Sequence, residues 1–250
     1  MNNFHTHTKR CNHAVGVEED YVVSAIRAGY KRLGFSEHMP LPPKDEEWSY
    51  RLSPFEVDDY VNEVLRLKEK YKDEIEIFLS FEFEYFYNRI EWVDYLIEKY
   101  PLDYTIGGNH FYKRVSENTY FGRFDKKTTI EKYYEQAKLL LESNRFDIFA
   151  HPDLFMDSYP VWDEKSKKLT EEICRLAKEN DVILEYNLAG VKNKRQYPNE
   201  KFWEVAIREN NKIIIGVDAH DPRDFNLGFH KEAIKHLQAL GANLILDLNI

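Results

Sequence analysis

The chain is most easily bounded by what it lacks. It has only two cysteines in 250 residues, Cys11 and Cys174, far apart and in no ligand-spaced pair, so no disulfide framework is implied. No run of eighteen apolar residues occurs, and the N-terminus carries no long apolar stretch of the secretory kind, so a soluble cytoplasmic protein with no membrane partner is expected. A basic surface is missing too. The net charge is −9 with His neutral, and no Lys/Arg stripe is interleaved with aromatics, which argues against nucleic-acid binding. The aromatic share is 15 %, but these residues are spread along the chain as core-packing residues are. There is no short repeat and no Gly/Ser- or Pro-rich linker, so one domain spanning 1–250 is expected.

What is present is an alternation of strand and helix. Strand-like runs end in NNFHTH, RLGFSEH, IEIFLSFEFE, DYTIGGNH, FDIFAHP, VILEYN and KIIIGVDAH. Helical patterns lie between them, with Ser53-Pro54 and Thr128 or Thr129 as start signals, and MPLPPKDEEWSYRLSP (39–54) reads as an insertion over a surface. Seven strands with helical crossovers predict a parallel sheet, either open and doubly wound or closed as a barrel. After the first strand an open dinucleotide-binding sheet would carry G-x-G-x-x-G, where this chain has THTKRCNHAVG; the α/β barrel is the better reading.

The histidines follow that topology. His5 and His7 share one face at the end of the first strand, because side chains two apart on a strand point the same way. His38, His110 and His151 end the second, fourth and fifth strands, Glu82 lies near the end of the third, and Asp218 with His220 ends the seventh. His13 sits in the loop after the first strand. In a parallel barrel all these ends meet at one rim. Only His230 and His236 fall in a helical segment, where a solvated face is the expected setting. Imidazole suits Zn, Fe or Mn, and a carboxylate can bridge two ions. Seven histidines and two acids exceed the needs of one ion and suit three divalent ions with open positions, as in a catalytic site.

The segments FHTHT, CNHAVG, GFSEHMP, FEFEYF, GGNHFY, AHPDL and VDAHD resemble, in order and across nearly the whole chain, the polymerase-and-histidinol-phosphatase (PHP) superfamily, and most closely its stand-alone histidinol-phosphatases. The resemblance implies a distorted (β/α)7 barrel and a trinuclear metal site. It implies one ion on His5, His7, Glu82 and Asp218, a second on Glu82, His110 and His151, and a third on His13, His38 and His220. Glu82 is the implied bridge; Glu84, on the same strand face, competes for that role, and the family pattern favours Glu82. Glu82, Asp218 and His220 are the residues expected to carry catalysis.

The implied activity is metal-dependent hydrolysis of L-histidinol phosphate by a metal-bound hydroxide, a step in histidine biosynthesis. Three divalent ions less two carboxylates leave roughly +4, enough to draw a phosphate dianion into an acidic protein. The sixth strand breaks the ligand pattern: Glu185 and Asn187, with Lys192 and Arg195 in the basic loop that follows, are read as substrate contacts, or, for Glu185 and Asn187, as orienters of a ligating histidine. The expected partner is a small-molecule phosphomonoester, and a homo-oligomer is compatible with the sequence without being required by it. Competing readings are a PHP phosphatase for phosphotyrosine or nucleotides, a metal-binding regulatory subunit, and an amidohydrolase-like C–N hydrolase, which would need a strand-end lysine that this chain does not have.

Overall fold

A computed structural model describes residues 1–43, 50–112, 120–123, 129–226 and 228–248, with the backbone alone for Tyr87. The predicted insertion at 39–54 thus lies partly outside the described residues, as does Thr128. Among the described residues eight strands form one sheet in chain order, every neighbouring pair parallel: β1 (Asn2–Asn3), β2 (Arg32–His38), β3 (Glu76–Glu84), β4 (Ile106–Gly108), β5 (Ile148–Phe149), β6 (Ile183–Asn187), β7 (Lys212–Gly216) and β8 (Asn243–Leu244). The crossovers carry α1 (Glu18–Ala28), α2 (Val57–Lys70), α3 (Ile90–Lys99), α4 (Ile130–Leu141), α5 (Glu164–Glu179), α6 (Leu188–Lys192), α7 (Glu200–Arg208) and α8 (Phe229–Ala239). This is a distorted α/β barrel, and no helix among the described residues is long and apolar enough to cross a membrane.

The eighth strand was not anticipated, yet it leaves seven strands at the rim. Beyond their regular strands, β1 and β7 join directly through a parallel bridge between Thr6 and Ala219, where His7 N donates to Ala219 O at 2.9 Å and Ala219 N to His5 O at 3.3 Å. Only at the opposite end does β8 pair with β7, at Lys212 and Ile213, while Asn2 Nδ2 donates to Leu246 O at 3.0 Å. The two residues of β8, Asn243 and Leu244, carry none of the ligand types that mark the other strand ends.

The pleat of β3 explains where the core and the site lie. Its outward residues Ile77, Leu79, Phe81 and Phe83 are buried in the large apolar layer shared with the helices. Inward, Phe78 joins Phe4, Tyr104, Ile106, Ile148 and Ile214 in a separate cluster that fills the barrel floor. Gly34 on β2 is required there, since a Cβ would fall on the Tyr104 hydroxyl, which donates to Phe4 O. Register then sets the rim: His38 pairs with Glu82, Glu82 with Ile106, and Glu84 with Gly108.

Local signals held unevenly. Thr129 caps α4, accepting from Lys132 N at 3.4 Å, as its position predicts. Ser53-Pro54 instead opens a turn, with Glu56 N donating to Ser53 O at 3.0 Å, and α2 starts at Val57. His230 is the clearer correction. It is buried, not solvated, and its Nδ1 lies 3.0 Å from the Tyr30 hydroxyl, because that face of α8 packs on the barrel; His236 is exposed.

Candidate metal centre

The sequence-predicted ligands converge on Glu82. Its Oε1 lies 3.1 Å from His151 Nε2 and 3.4 Å from His110 Nε2; its Oε2 lies 2.8 Å from His38 Nδ1 and 3.5 Å from the Nε2 of both His5 and His7. Asp218 Oδ1 faces the same pair, 3.5 Å from His5 and 3.3 Å from His7. His151 and Asp218 hold φ of 32° and 49°, a sparsely populated region for side-chain-bearing residues and one often found at functional sites.

Glu84 is engaged elsewhere. It accepts from the backbone N of His110 at 2.8 Å and of Phe111 at 3.0 Å, and from His110 Nδ1 at 2.8 Å. It therefore turns the imidazole of His110 toward Glu82. Glu185 plays the corresponding part for His5, accepting from its Nδ1 at 2.7 Å and from His151 N at 3.2 Å. It reaches His5 by crossing Gly216, where any Cβ would collide with the Glu185 carboxylate.

Two pairs of nitrogens test whether ions fit. His13 Nδ1 donates to Cys11 O at 2.8 Å and His220 Nδ1 to Asp218 O at 3.1 Å. Carbonyls only accept, so both Nδ1 atoms carry the proton and, in the neutral rings, both Nε2 atoms present lone pairs. Those Nε2 atoms are 2.9 Å apart. His5 and His7 likewise face each other, Nε2 to Nε2, at 3.0 Å. Bonds of about 2.0–2.1 Å at angles of about 90–109° would separate two nitrogens on one ion by about 2.9–3.4 Å. Glu82 Oε2 and Asp218 Oδ1 are buried without a hydrogen-bond partner, which again suits a cation. The donor set fits divalent metal ions.

Electrostatics point the same way. Burial raises the carboxyl pKa values of Glu82 and Asp218, but neighbouring histidines outweigh it and hold both well below the usual range: His110, His38 and His5 for Glu82, His5, His7 and His220 for Asp218. Burial lowers His5 and His7; Glu185, Asp218 and Glu82 reverse this for His5, and the nearby Asp218 and Glu37 carboxylates push His7 up to about 9. Farther up, burial and the nearby His7 push His220 down to about 3 and lower His13 and His38. Among the described residues every ion-pair partner of Glu82 and Asp218 is an imidazole. The acids thus demand positive charge that no Lys or Arg among the described residues supplies through an ion pair.

All nine expected ligands are brought together, in groupings that overlap the implied sets only in part. His5, His7 and Asp218 form one compact group, as implied. His38 groups both with Glu82 and His110 and with His7 and His220, so it stands between the ions implied for it and for its neighbours. Cys11, which sequence reading set aside, lies buried within reach of His13 and His220. Glu37 was also missed. It precedes His38 on β2, where strand alternation turns it away from the rim's inner face, so only its charge in a buried stretch could have drawn notice.

The residues read as substrate contacts are placed otherwise. Asn187 Nδ2 donates to Asp218 Oδ2 at 3.1 Å and to Glu185 Oε2 at 2.9 Å, while its Oδ1 caps α6. With Glu185 on His5, both side chains of β6 serve ligands, since the strand's inward face delivers them to the rim. Lys192 Nζ pairs with Asp224 at 2.6 Å, and Asp224 in turn accepts from the backbone N of His220 and of Asp221, each at 3.1 Å. Arg195 binds Asp157 and donates to Gly122 O at 2.8 Å, its guanidinium 5.6 Å from the centre of the Tyr197 ring.

Fold and site together define a parallel α/β barrel whose carboxyl rim is suited to divalent metal. The PHP domain family model matches residues 3–189, and the chain belongs to that family. Asp218 and His220 lie beyond the matched span. Among relatives, a Schizosaccharomyces pombe protein named "Probable histidinol-phosphatase" is 27 % identical, over 90 % of this chain and 82 % of its own length. A histidinol-phosphatase of Bacillus subtilis is 22 % identical, over 92 % of this chain and 96 % of its own. The crystal structure of a Lactococcus lactis histidinol phosphate phosphatase, complexed with Zn, L-histidinol and phosphate, superposes with a TM-score of 0.74 at 19 % identity, covering 98 % of this chain and 95 % of that one.

Proposed function

We propose that this chain is a metal-dependent phosphomonoesterase that hydrolyses L-histidinol phosphate to L-histidinol and phosphate. The observation that carries the proposal is the convergence of nine ligand-type side chains at the rim, with paired imidazole nitrogens at 2.9 and 3.0 Å and two buried carboxylate oxygens lacking hydrogen-bond partners. The names of the relatives supply the substrate, and the Lactococcus protein's complex with Zn, L-histidinol and phosphate supports the same choice.

Three divalent ions, of Zn, Fe or Mn, are the proposed cofactors, held by His5, His7, His13, His38, Glu82, His110, His151, Asp218 and His220. When bound, such ions supply Lewis acidity toward phosphoryl oxygens and acidify water at neutral pH. The chain does the rest. Glu82, its side chain only 1 % exposed, fixes the spacing of the imidazoles around it, and Asp218, at 11 %, is only slightly less enclosed. Asp218 is the proposed acceptor of the proton that water gives up as it attacks phosphorus. His220, neutral and partly exposed, borders the phosphate at the mouth. Lys192 and Arg195 are the proposed cationic contacts of the phosphate, and each would have to share itself with its present carboxylate partner. The substrate is a small molecule, and the chain acts as one unit. Two buried free thiols suit a reducing cytoplasm.

The test is direct. Protein loaded in turn with Mn, Fe, Co or Zn should release phosphate from histidinol phosphate far faster than from phosphotyrosine or nucleotides. Equal rates, or the reverse order, would remove the substrate assignment.

A further inference from the structure

Most of the rim imidazoles have their second nitrogen fixed. Glu185 holds Nδ1 of His5, Glu84 holds Nδ1 of His110, and backbone carbonyls hold those of His13 and His220. The Nδ1 of His7 has no hydrogen bond although it is buried. It faces Glu37, whose Oε2 is 3.8 Å away and is itself buried without a hydrogen-bond partner. Two orphaned groups of complementary character thus look at each other.

Glu37 is held for that purpose. Its Oε1 accepts from Thr8 N at 2.6 Å and Thr8 Oγ1 at 2.5 Å, leaving Oε2 turned to His7. Thr8 directly follows His7, so the clamp ties the carboxylate to the strand end that carries the ligand. The nearby Cys11 thiol is already spent on Thr8 O at 3.1 Å, and the Tyr60 hydroxyl on Ser80 O at 3.0 Å. Among the described residues the ion pair of Glu37 is with His7. A closure of about 1 Å would bring the pair to the length of a charge-assisted hydrogen bond.

We propose that Glu37 is the positioning residue of His7: it keeps the proton on Nδ1 and aims the Nε2 lone pair at the point shared with His5, Asp218 and Glu82. This gives His7 the backing that Glu185 and Glu84 give His5 and His110, and a metal-binding imidazole so backed is both oriented and more basic. The inference rests on the metal-centre part of the proposed function and not on the substrate.

The experiment compares the parent with Glu37→Gln, which removes the charge, and Glu37→Leu, which removes the acceptor. Zinc affinity is measured by competition with a chromogenic chelator, and the His7 tautomer by 15N spectra of the Zn-loaded protein. One equivalent of zinc should bind about 10–100-fold more weakly, with Leu at the upper end, and the Nδ1–H signature of His7 should shift. A merely structural role would lower the melting temperature and leave the His7 nitrogen signals in place. Should Glu37→Leu fail to fold, Glu37→Gln decides. Zinc affinities within twofold of the parent, with unmoved His7 signals, overturn the inference, as does a parent that binds no zinc. A parent that binds zinc but leaves histidinol phosphate intact removes the substrate assignment and spares Glu37.

Discussion

Along β3 the inward side chains run from Phe78 through Ser80 to Glu82 and Glu84, and the two ends of the barrel divide accordingly. At the floor, Phe78 and Tyr104 pack on Phe4 with ring centres 5.7 and 5.6 Å away, and the cluster's side chains are apolar except for the Tyr104 hydroxyl, which donates to Phe4 O. At the rim, buried acids and imidazoles crowd together with several polar atoms unpaired. The floor is a source of stability; the rim uses it. Buried unpaired charge is costly, and a scaffold carries it only where burial elsewhere compensates and a ligand later supplies the missing partner.

The comparison can be broken most forcefully at the rim. His7→Ala removes a nitrogen that faces His5, Asp218 and Glu82 together, so turnover should fall by more than the roughly 10–100-fold that loss of an outer carboxylate costs. Its unfolding midpoint without metal should stay near the parent's or rise. A variant that retains parental kcat would remove His7 from the centre.

Phe78→Ala asks the opposite question of the floor. Emptying that position should cost about 3–5 kcal/mol in denaturant unfolding while metal stoichiometry and KM hold. Equal damage to metal binding would show that floor and rim are not separable. Stripping the metals comes next in size. Each ion site saturated at a hundred times its Kd adds about 2.7 kcal/mol to folding, so chelation should lower Tm, and re-addition should restore it. An unchanged Tm would mean that the rim's buried charges are satisfied without cations.

How much of this was readable beforehand follows the same division. Strand-end residues were legible because a parallel barrel converts sequence position into height: His38 and Glu82, 44 positions apart, sit in one register pair. Seven strands were legible, even β1 and β5, which are as short as β8, because each of those two runs on into a histidine-bearing end that β8 lacks. Side-chain partners were the hidden part. Whether Glu185 meets a substrate amine or His5 depends on Gly216 leaving room, and whether Lys192 is free depends on Asp224, 32 residues away. Glu37 was hidden for a related reason. It lies on the face of β2 opposite His38, alongside the buried Leu33 and Phe35.

His230 gives the smallest test and the cleanest contrast with the rim, because it is a buried histidine with no carboxylate ion pair among the described residues and has a hydroxyl partner in Tyr30. Burial, with a smaller contribution from the N-terminal amine, pushes it down to about 4. Its folded pKa lies below the unfolded value of about 6.5, so between those values the unfolded chain binds more protons. The stabilising contribution of the neutral ring is complete above about pH 6.5 and is lost as pH falls toward 4, to an extent of about 1–3 kcal/mol. Urea melts of the metal-free parent and of His230→Gln, compared from pH 7 to pH 4, should therefore converge as the pH drops. Curves that stay parallel would show that the helix-face histidine does not report burial, and that the pH response of the protein belongs to the rim alone.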